Sequence, residues 1–335
     1  MAPNNKAAAE NLEVETEEHL EKLVPPQAAP WDFELIYPVI VVLVGGHALA
    51  LYGIYLCFTS AMWQTIFFNW LLIIVGTLGL TAGVHRLWTH RAYKAKMPLQ
   101  ILLMLMFSVC CQYTAITWAT DHRMHHRYSD TDADPYNPTR GFFFSHLGWT
   151  MVKKHPEVRR RGKLVDMSDI YGNPVLQIQK KHAFPIMGGL CFVLPTLIPM
   201  YFWGETFNNA LILAVLRFFV NLNMIATINS TSHRGGSKPY DAKAPGSNSI
   251  LLSFITLGES FHNYHHVFPW DYRTAELGNN RLNLTTKFID FFAWIGWAYD
   301  MKTVPVEVAK ARAARTGDGT NEWGFRSEVS YDQLK

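Results

Sequence analysis

Long runs nearly free of charge alternate with densely charged stretches along this chain, a segregation that marks a membrane protein with a large water-facing portion. Residues 35–58, LIYPVIVVLVGGHALALYGIYLCF, and 63–84, WQTIFFNWLLIIVGTLGLTAGV, form the first apolar pair. Each is long enough to cross about 30 Å of hydrocarbon as a helix. A second pair, 184–204 and 209–228, repeats the design. The pattern predicts an all-α membrane protein with four transmembrane helices in two hairpins. Pro195 and Pro199 are expected to kink the third span without forbidding it.

Charge sets the orientation. The hairpin links at 59–62 and 205–208 hold no Lys or Arg, whereas residues 120–182 hold eleven. By the positive-inside rule the middle segment and both terminal regions face the cytosol. The apolar run 98–118, PLQILLMLMFSVCCQYTAITW, is long enough to cross, but crossing would carry the basic segment to the wrong side, so the charge distribution favours a helix that does not. It is expected to lie in the interface or to dip in and return. The aromatic stretch 288–300, FIDFFAWIGWAYD, reads as interfacial as well.

Composition narrows the function classes. The net charge of +3, with no basic stripe, argues against nucleic-acid binding. Four cysteines lie in apolar runs without a C-x-x-C pair and read as small buried hydrophobes. Residues 1–30 are acidic and polar and are expected to be a disordered cytosolic segment; past 303 the chain is polar and expected to be loosely ordered, 306–335 being a cytosolic tail. The main domain then spans 31–305. The sequons at Asn229 and Asn283 face the wrong side for glycosylation and read as chance matches.

Eight of the 14 histidines fall in three short boxes: HRLWTH (His85, His90), HRMHH (His122, His125, His126) and HNYHH (His262, His265, His266). A ninth, His233, follows the fourth span as His85 follows the second. In H-x-x-H-H the outer residues are three and four apart, so all three line one side of a helix. Residues 85 and 90 diverge by about 140° on an ideal helix, so they serve different ions or the helix ends between them. Repeated boxes just beyond apolar runs point to a helical cytosolic cap holding a metal site. Imidazole suits Zn, Cu, Fe and Ni alike. Nine ligands exceed the four of a zinc site and argue for two ions. Carboxylate-bridged di-iron bundles use Glu-x-x-His pairs from packed helices; no such motif is read here, so a di-iron site is expected to be built mainly of histidine.

The boxes and the segments TAGVHRLWTHRAYKA, DHRMHHRYSDTDADPYNPTRGFFFSHLGW, KKHPEV and GESFHNYHHVFPWDYR resemble the membrane-bound acyl-CoA desaturases, the stearoyl-CoA desaturase family, and within it the insect members that include makers of moth pheromone precursors. The resemblance runs from about residue 30 to 305. It implies two Fe ions held by His85, His90, His122, His125, His126, His233, His262, His265 and His266, with Asn229 acting through water. It also implies a multi-pass protein of the endoplasmic reticulum membrane. O2 and two electrons from cytochrome b5 and its NADH-dependent reductase would remove two hydrogens from a long-chain fatty acyl-CoA, giving a double bond of delta-9 or delta-11 type. Removing hydrogen from unactivated carbon is work for an oxidising metal.

For the substrate, Trp118 and Asp121 match residues flanking the second box, while Lys153 and Lys154 match basic residues near the CoA phosphates. Attraction to anionic lipid headgroups explains the lysines equally well. Tyr113 and Thr120 stand where the family has Asn and Arg, and Tyr37, Pro38 and Val39 replace Trp-Arg-Asn, so the mode of CoA binding is open. The closed end of the acyl tunnel is expected between the first two spans, with Asn69 a candidate. Arg217, inside the fourth span, requires a partner; Asn221 and Asn223 are within reach in sequence. Two alternatives remain: a fatty-acyl hydroxylase or conjugated-diene former, and a membrane metal-binding protein or transporter, whose ligands should lie near the membrane midplane.

Overall fold

A computed structural model describes residues 31–275 and 283–320. Helix α1 (Tyr37–Thr59) and helix α2 (Trp63–Thr89) form the first hairpin. Helix α5 (Ala183–Trp203) and helix α6 (Phe207–His233) form the second. Between them lie α3 (Met97–Ser108) and α4 (Ala115–Tyr128); after them come α7 (His262–Val267), α8 (Leu284–Trp294) and α9 (Val306–Thr316). The only sheet among the described residues pairs Lys94–Ala95 antiparallel with Ala298–Tyr299, tying the chain after α2 to the chain after α8. The four spans and the all-helical architecture agree with the apolar pattern.

Burial in the spans is inverted, as a lipid solvent requires. On α1 Val41, Leu51 and Phe58 are exposed at 69%, 68% and 87%, while Leu43, Ala50, Gly53 and Leu56 make a narrow buried stripe. That stripe packs on α6, and small residues allow the approach. A Cβ on Gly46 would come within 2.1 Å of the Phe219 ring.

Spans α2 and α6 run past the expected ends at 84 and 228, to Thr89 and His233. The extension of α2 is π-helical over Gly79–Thr89, and it crosses α3 closely enough that a Cβ on Gly79 would meet Phe107 N at 2.1 Å. The run 98–118 does not cross. Helix α3, 12 residues from Met97 to Ser108, is about 18 Å long and too short to span. Cys111 and Tyr113 then take left-handed backbone angles (φ 51° and 63°), which turns the chain so that α4 starts afresh at the Thr114 cap.

Two expectations need correction. The chain past 303 is not loosely ordered through residue 320: α9 docks by burying Ala309 and Ala313 against Tyr240, Tyr264 and Phe268. Its apolar face is alanine, which hydropathy hardly registers. Arg217 does not pair with Asn221 or Asn223. Its Nη1 donates to Val109 O at 2.9 Å and its Nη2 to Cys191 O. The Cys191 carbonyl is free because the residue four ahead is Pro195, which has no N–H. Asn283, read as a chance sequon, is fully buried and caps α8 through Thr286 N at 2.9 Å. Residues 1–30 and 321–335, expected to be polar terminal segments, lie outside the described residues.

Candidate metal centre

Nine histidines converge in two groups where α2, α4, α6 and α7 meet. His85, His90, His122, His126 and His265 form one; His125, His233, His262 and His266 form the other, and within each the ligand atoms lie within 4.8 Å of one another.

Helix geometry explains the division. Each H-x-x-H-H box sends its i, i+4 pair to one group and its middle histidine to the other: His122 and His126 against His125, His262 and His266 against His265. On a helix, i+4 returns close to the bearing of i, whereas i+3 and i+4 diverge by about 100°. The boxes on α4 and α7 therefore exchange their odd members across the contact. His126 and His266 stack at the seam, with ring centroids 4.5 Å apart.

The pair at 85 and 90 belongs to a single group, contrary to its divergence on an ideal helix. The π-helical turn is the reason. His90 N donates to His85 O at 3.1 Å, an i to i+5 bond that brings residues five apart together. Their rings lie 4.8 Å apart, edge to face.

The donors fit a metal. His85, His265, His126 and His122 make a chain of Nε2–Nε2 approaches at 3.0, 2.9 and 3.1 Å, and His233, His262 and His266 repeat it at 3.0 and 3.0 Å. Nitrogens at right angles about one ion, each about 2.1 Å from it, would stand about 3.0 Å apart. His90 Nε2 and His125 Nε2 are buried without a protein partner. Burial, reinforced by the neighbouring imidazoles, holds His122, His126, His262, His265 and His266 well below the usual 6.5. The same holds for His90, where Arg123 adds to the effect. The rings are thus neutral at pH 7, the form that binds metal.

Carboxylates orient the rings from behind. Glu259 meets His85 Nδ1 at 2.6 Å, Asp134 meets His125 Nδ1 at 2.9 Å, and Asp130 lies 3.7 Å from His233 Nδ1. Glu259 is fully buried and shared with Arg86, whose Nη2 donates to it at 2.6 Å. Burial would raise the Glu259 carboxyl, but Arg86 and His85 outweigh it and hold the group below its ordinary value. Glu259 and Asp134 were missed in the sequence. The spacing Glu259-x-x-His262 was the available signal, a single instance of the di-iron motif, and here the carboxylate turns to His85.

A cavity of about 340 Å³ runs from α1 and α6 to these groups. Its walls are mainly apolar, including Val39, Leu43, Leu80, Phe218 and Leu222, and it reaches His85, His122, His262, Glu259 and Asn229. Trp118 stacks on His122 (4.7 Å, 25°), and Asp121 also lines the cavity, paired with Lys154. Burial raises the Asp121 carboxyl despite that lysine. Lys153 is exposed and pairs with Glu34 instead of facing the cavity. Tyr113 is a lining residue, whereas Asn69 is not: its amide donates to Thr65 O at 3.0 Å within its own helix. The cavity thus lies between the first and fourth spans more than between the first two.

Residues 61–278 match the model of the family described as fatty acid desaturase. The chain belongs to the fatty acid desaturase family. It is 58% identical over 319 residues to an acyl-CoA Delta(11) desaturase of Spodoptera littoralis, covering 95% of this chain and 94% of the relative. It is 52% identical over 322 residues to a (11Z)-hexadec-11-enoyl-CoA conjugase of Bombyx mori, covering 96% and 98%. An acyl-CoA Delta-9 desaturase of Acheta domesticus shares 49% over 298 residues, covering 88% and 83%. This desaturase is an oxidoreductase, and its histidine groups suit the iron on which such an enzyme depends.

Proposed function

We propose that this desaturase converts a long-chain saturated or monounsaturated acyl-CoA to one with a further double bond, of delta-11 or delta-9 type, in moth pheromone precursor synthesis. The observation that carries this reading is an apolar cavity that reaches His85, His122 and His262, three of nine convergent imidazoles. The two groups would hold two Fe ions, the five-histidine group one and the four-histidine group the other, with Asn229 near the second through water. Bound iron would supply the oxidising power that side chains lack. Per turnover one O2, two electrons and two protons are consumed, two hydrogens leave adjacent carbons, and two waters form.

The chain's own residues hold the substrate. Apolar walls from α1 and α6 exclude water from the acyl chain. Trp118 fixes the chain beside His122, and Asp121 with Lys154 marks the polar mouth for the CoA end. Lys153 is placed to meet CoA phosphates or anionic headgroups from the surface. Glu259 keeps His85 in one tautomer by accepting its Nδ1–H. The basic middle segment supports a cytosolic face for this mouth and for both termini, in the endoplasmic reticulum, with cytochrome b5 and its reductase as electron donors.

Expression in a desaturase-deficient yeast, with double-bond positions mapped in the lipids, tests the proposal. New monoenes are expected. Conjugated dienes would move the assignment to the conjugase chemistry of the Bombyx mori relative, and hydroxylated chains alone would defeat it.

A further inference from the structure

Three walls of the cavity come from separate parts of the chain: α1, α6 and the segment after the short helix Phe142–His146. One half-buried polar chain joins all three. His47 on α1 has Nδ1 2.7 Å from Leu43 O, a carbonyl, so Nδ1 carries the proton and Nε2 accepts. Asn223 on α6 supplies the donor: its Nδ2 lies 3.0 Å from His47 Nε2 and 2.8 Å from Phe219 O. Asn223 Oδ1 then needs a donor and finds His146 Nε2 at 3.2 Å. The remaining nitrogen, His146 Nδ1, meets Ser230 Oγ on α6 at 2.9 Å.

We propose that His47, Asn223 and His146 are positioning residues that fix where the acyl chain lies against the histidine groups, and so determine which carbons lose hydrogen. This inference rests on the acyl-CoA reading above. Each amide and ring nitrogen in the chain has one role, so a slip of the roof along α6 would orphan several polar atoms in apolar surroundings. Leu147, Trp149 and Thr150, the roof segment after His146, line the cavity together with Leu222 and Ile225 and are thereby held in register with them. The far side of the same roof is pinned to the start of α1 by Ile36 N donating to Met151 O at 2.7 Å. His47 is not a cavity-lining residue, so its effect on the substrate can pass only through Asn223 and the packing of α1.

The test uses the full-length chain with His47→Leu, His146→Leu, His146→Gln and Asn223→Asp. Gln can keep the donation to Asn223, whereas Asp keeps the acceptor for His146 but removes the donor to His47. Two readouts are taken: positional isomers of the product, and the binding of saturated acyl-CoAs of graded length to metal-free protein. Registration by one methylene is worth roughly tenfold in discrimination. His47→Leu, His146→Leu and Asn223→Asp should therefore raise the share of minor isomers by up to about tenfold and flatten the length optimum. His146→Gln should stay near the parent pattern. Folded His47→Leu or Asn223→Asp with the parent's isomers and length optimum would overturn the inference. Failure of the parent itself to bind any acyl-CoA would defeat the acyl-CoA reading instead.

Discussion

Glu259 is the residue whose role is sharpest. It is fully buried, accepts from Arg86 and faces His85 Nδ1, so it links a cationic anchor to one member of the five-histidine group. Arg86 in turn places its remaining donors on Tyr272 O, Thr286 Oγ1 and Asn283 Oδ1, at 2.9, 2.9 and 3.2 Å. The ion pair is thus held by a fully used guanidinium, the condition under which a buried pair persists. Glu259→Gln keeps the volume and removes the charge, and outer partners of this kind contribute about 10–100-fold to metal affinity. Titration of metal-free variant with ferrous iron should show weakening of that size at the five-histidine group. Affinity equal to the parent's would mean that Glu259 does not tune the ligand. Eight of the nine histidines were legible in sequence because they fall in repeated boxes, and His233 because it follows the fourth span as His85 follows the second. The carboxylates behind them were not, because Asp134 and Glu259 act through contacts across the fold that no local pattern encodes.

At the scale of elements, hydropathy was a good guide to the spans and a poor one to the segments beyond their ends. A lipid-facing helix announces itself by length, so all four were readable. The π-helical turn at the end of α2 was not, since nothing in GLTAGVHRLWT distinguishes it from an ordinary helical end. Its consequence is large, because it reunites His85 and His90 in one group. Helix α9 escaped notice because small alanines make its buried face. Arg217 illustrates how elements share an unmet need: Pro195 frees one carbonyl, the end of α3 frees another, and a single guanidinium meets both. Arg217→Met would leave two buried acceptors unpaired, at a cost of about 2–5 kcal/mol. Thermal unfolding in detergent should show a Tm lower by several degrees, with iron per folded protein unchanged. An unaltered Tm would show that water or lipid satisfies those carbonyls.

Across the whole molecule, two hairpins carry the chemistry at one end. The C-termini of the second and fourth spans extend beyond the apolar runs and deliver His85 and His233, while α4 and α7 add the boxes between them. The cavity then enters from between α1 and α6, so the membrane domain supplies its apolar walls and the cap supplies the histidine groups. A transporter would need its ligands near the midplane; here they gather where the spans end. This division also explains the limits of the sequence. The family is carried by the segments around the histidine boxes, the spans by hydropathy and the histidine clusters by spacing, but the course of the cavity depends on which spans touch, and the cavity is not lined by Asn69.

The central claim is that two separate histidine groups hold one iron each. Elemental analysis of purified active protein, with His90→Ala and His233→Ala compared in the same preparation, tests it most directly. The account predicts two irons per chain in the parent and a loss of about one in each variant, from different groups as distinguished by Mössbauer spectra. Active protein containing a single zinc, or activity in protein free of iron, would contradict it.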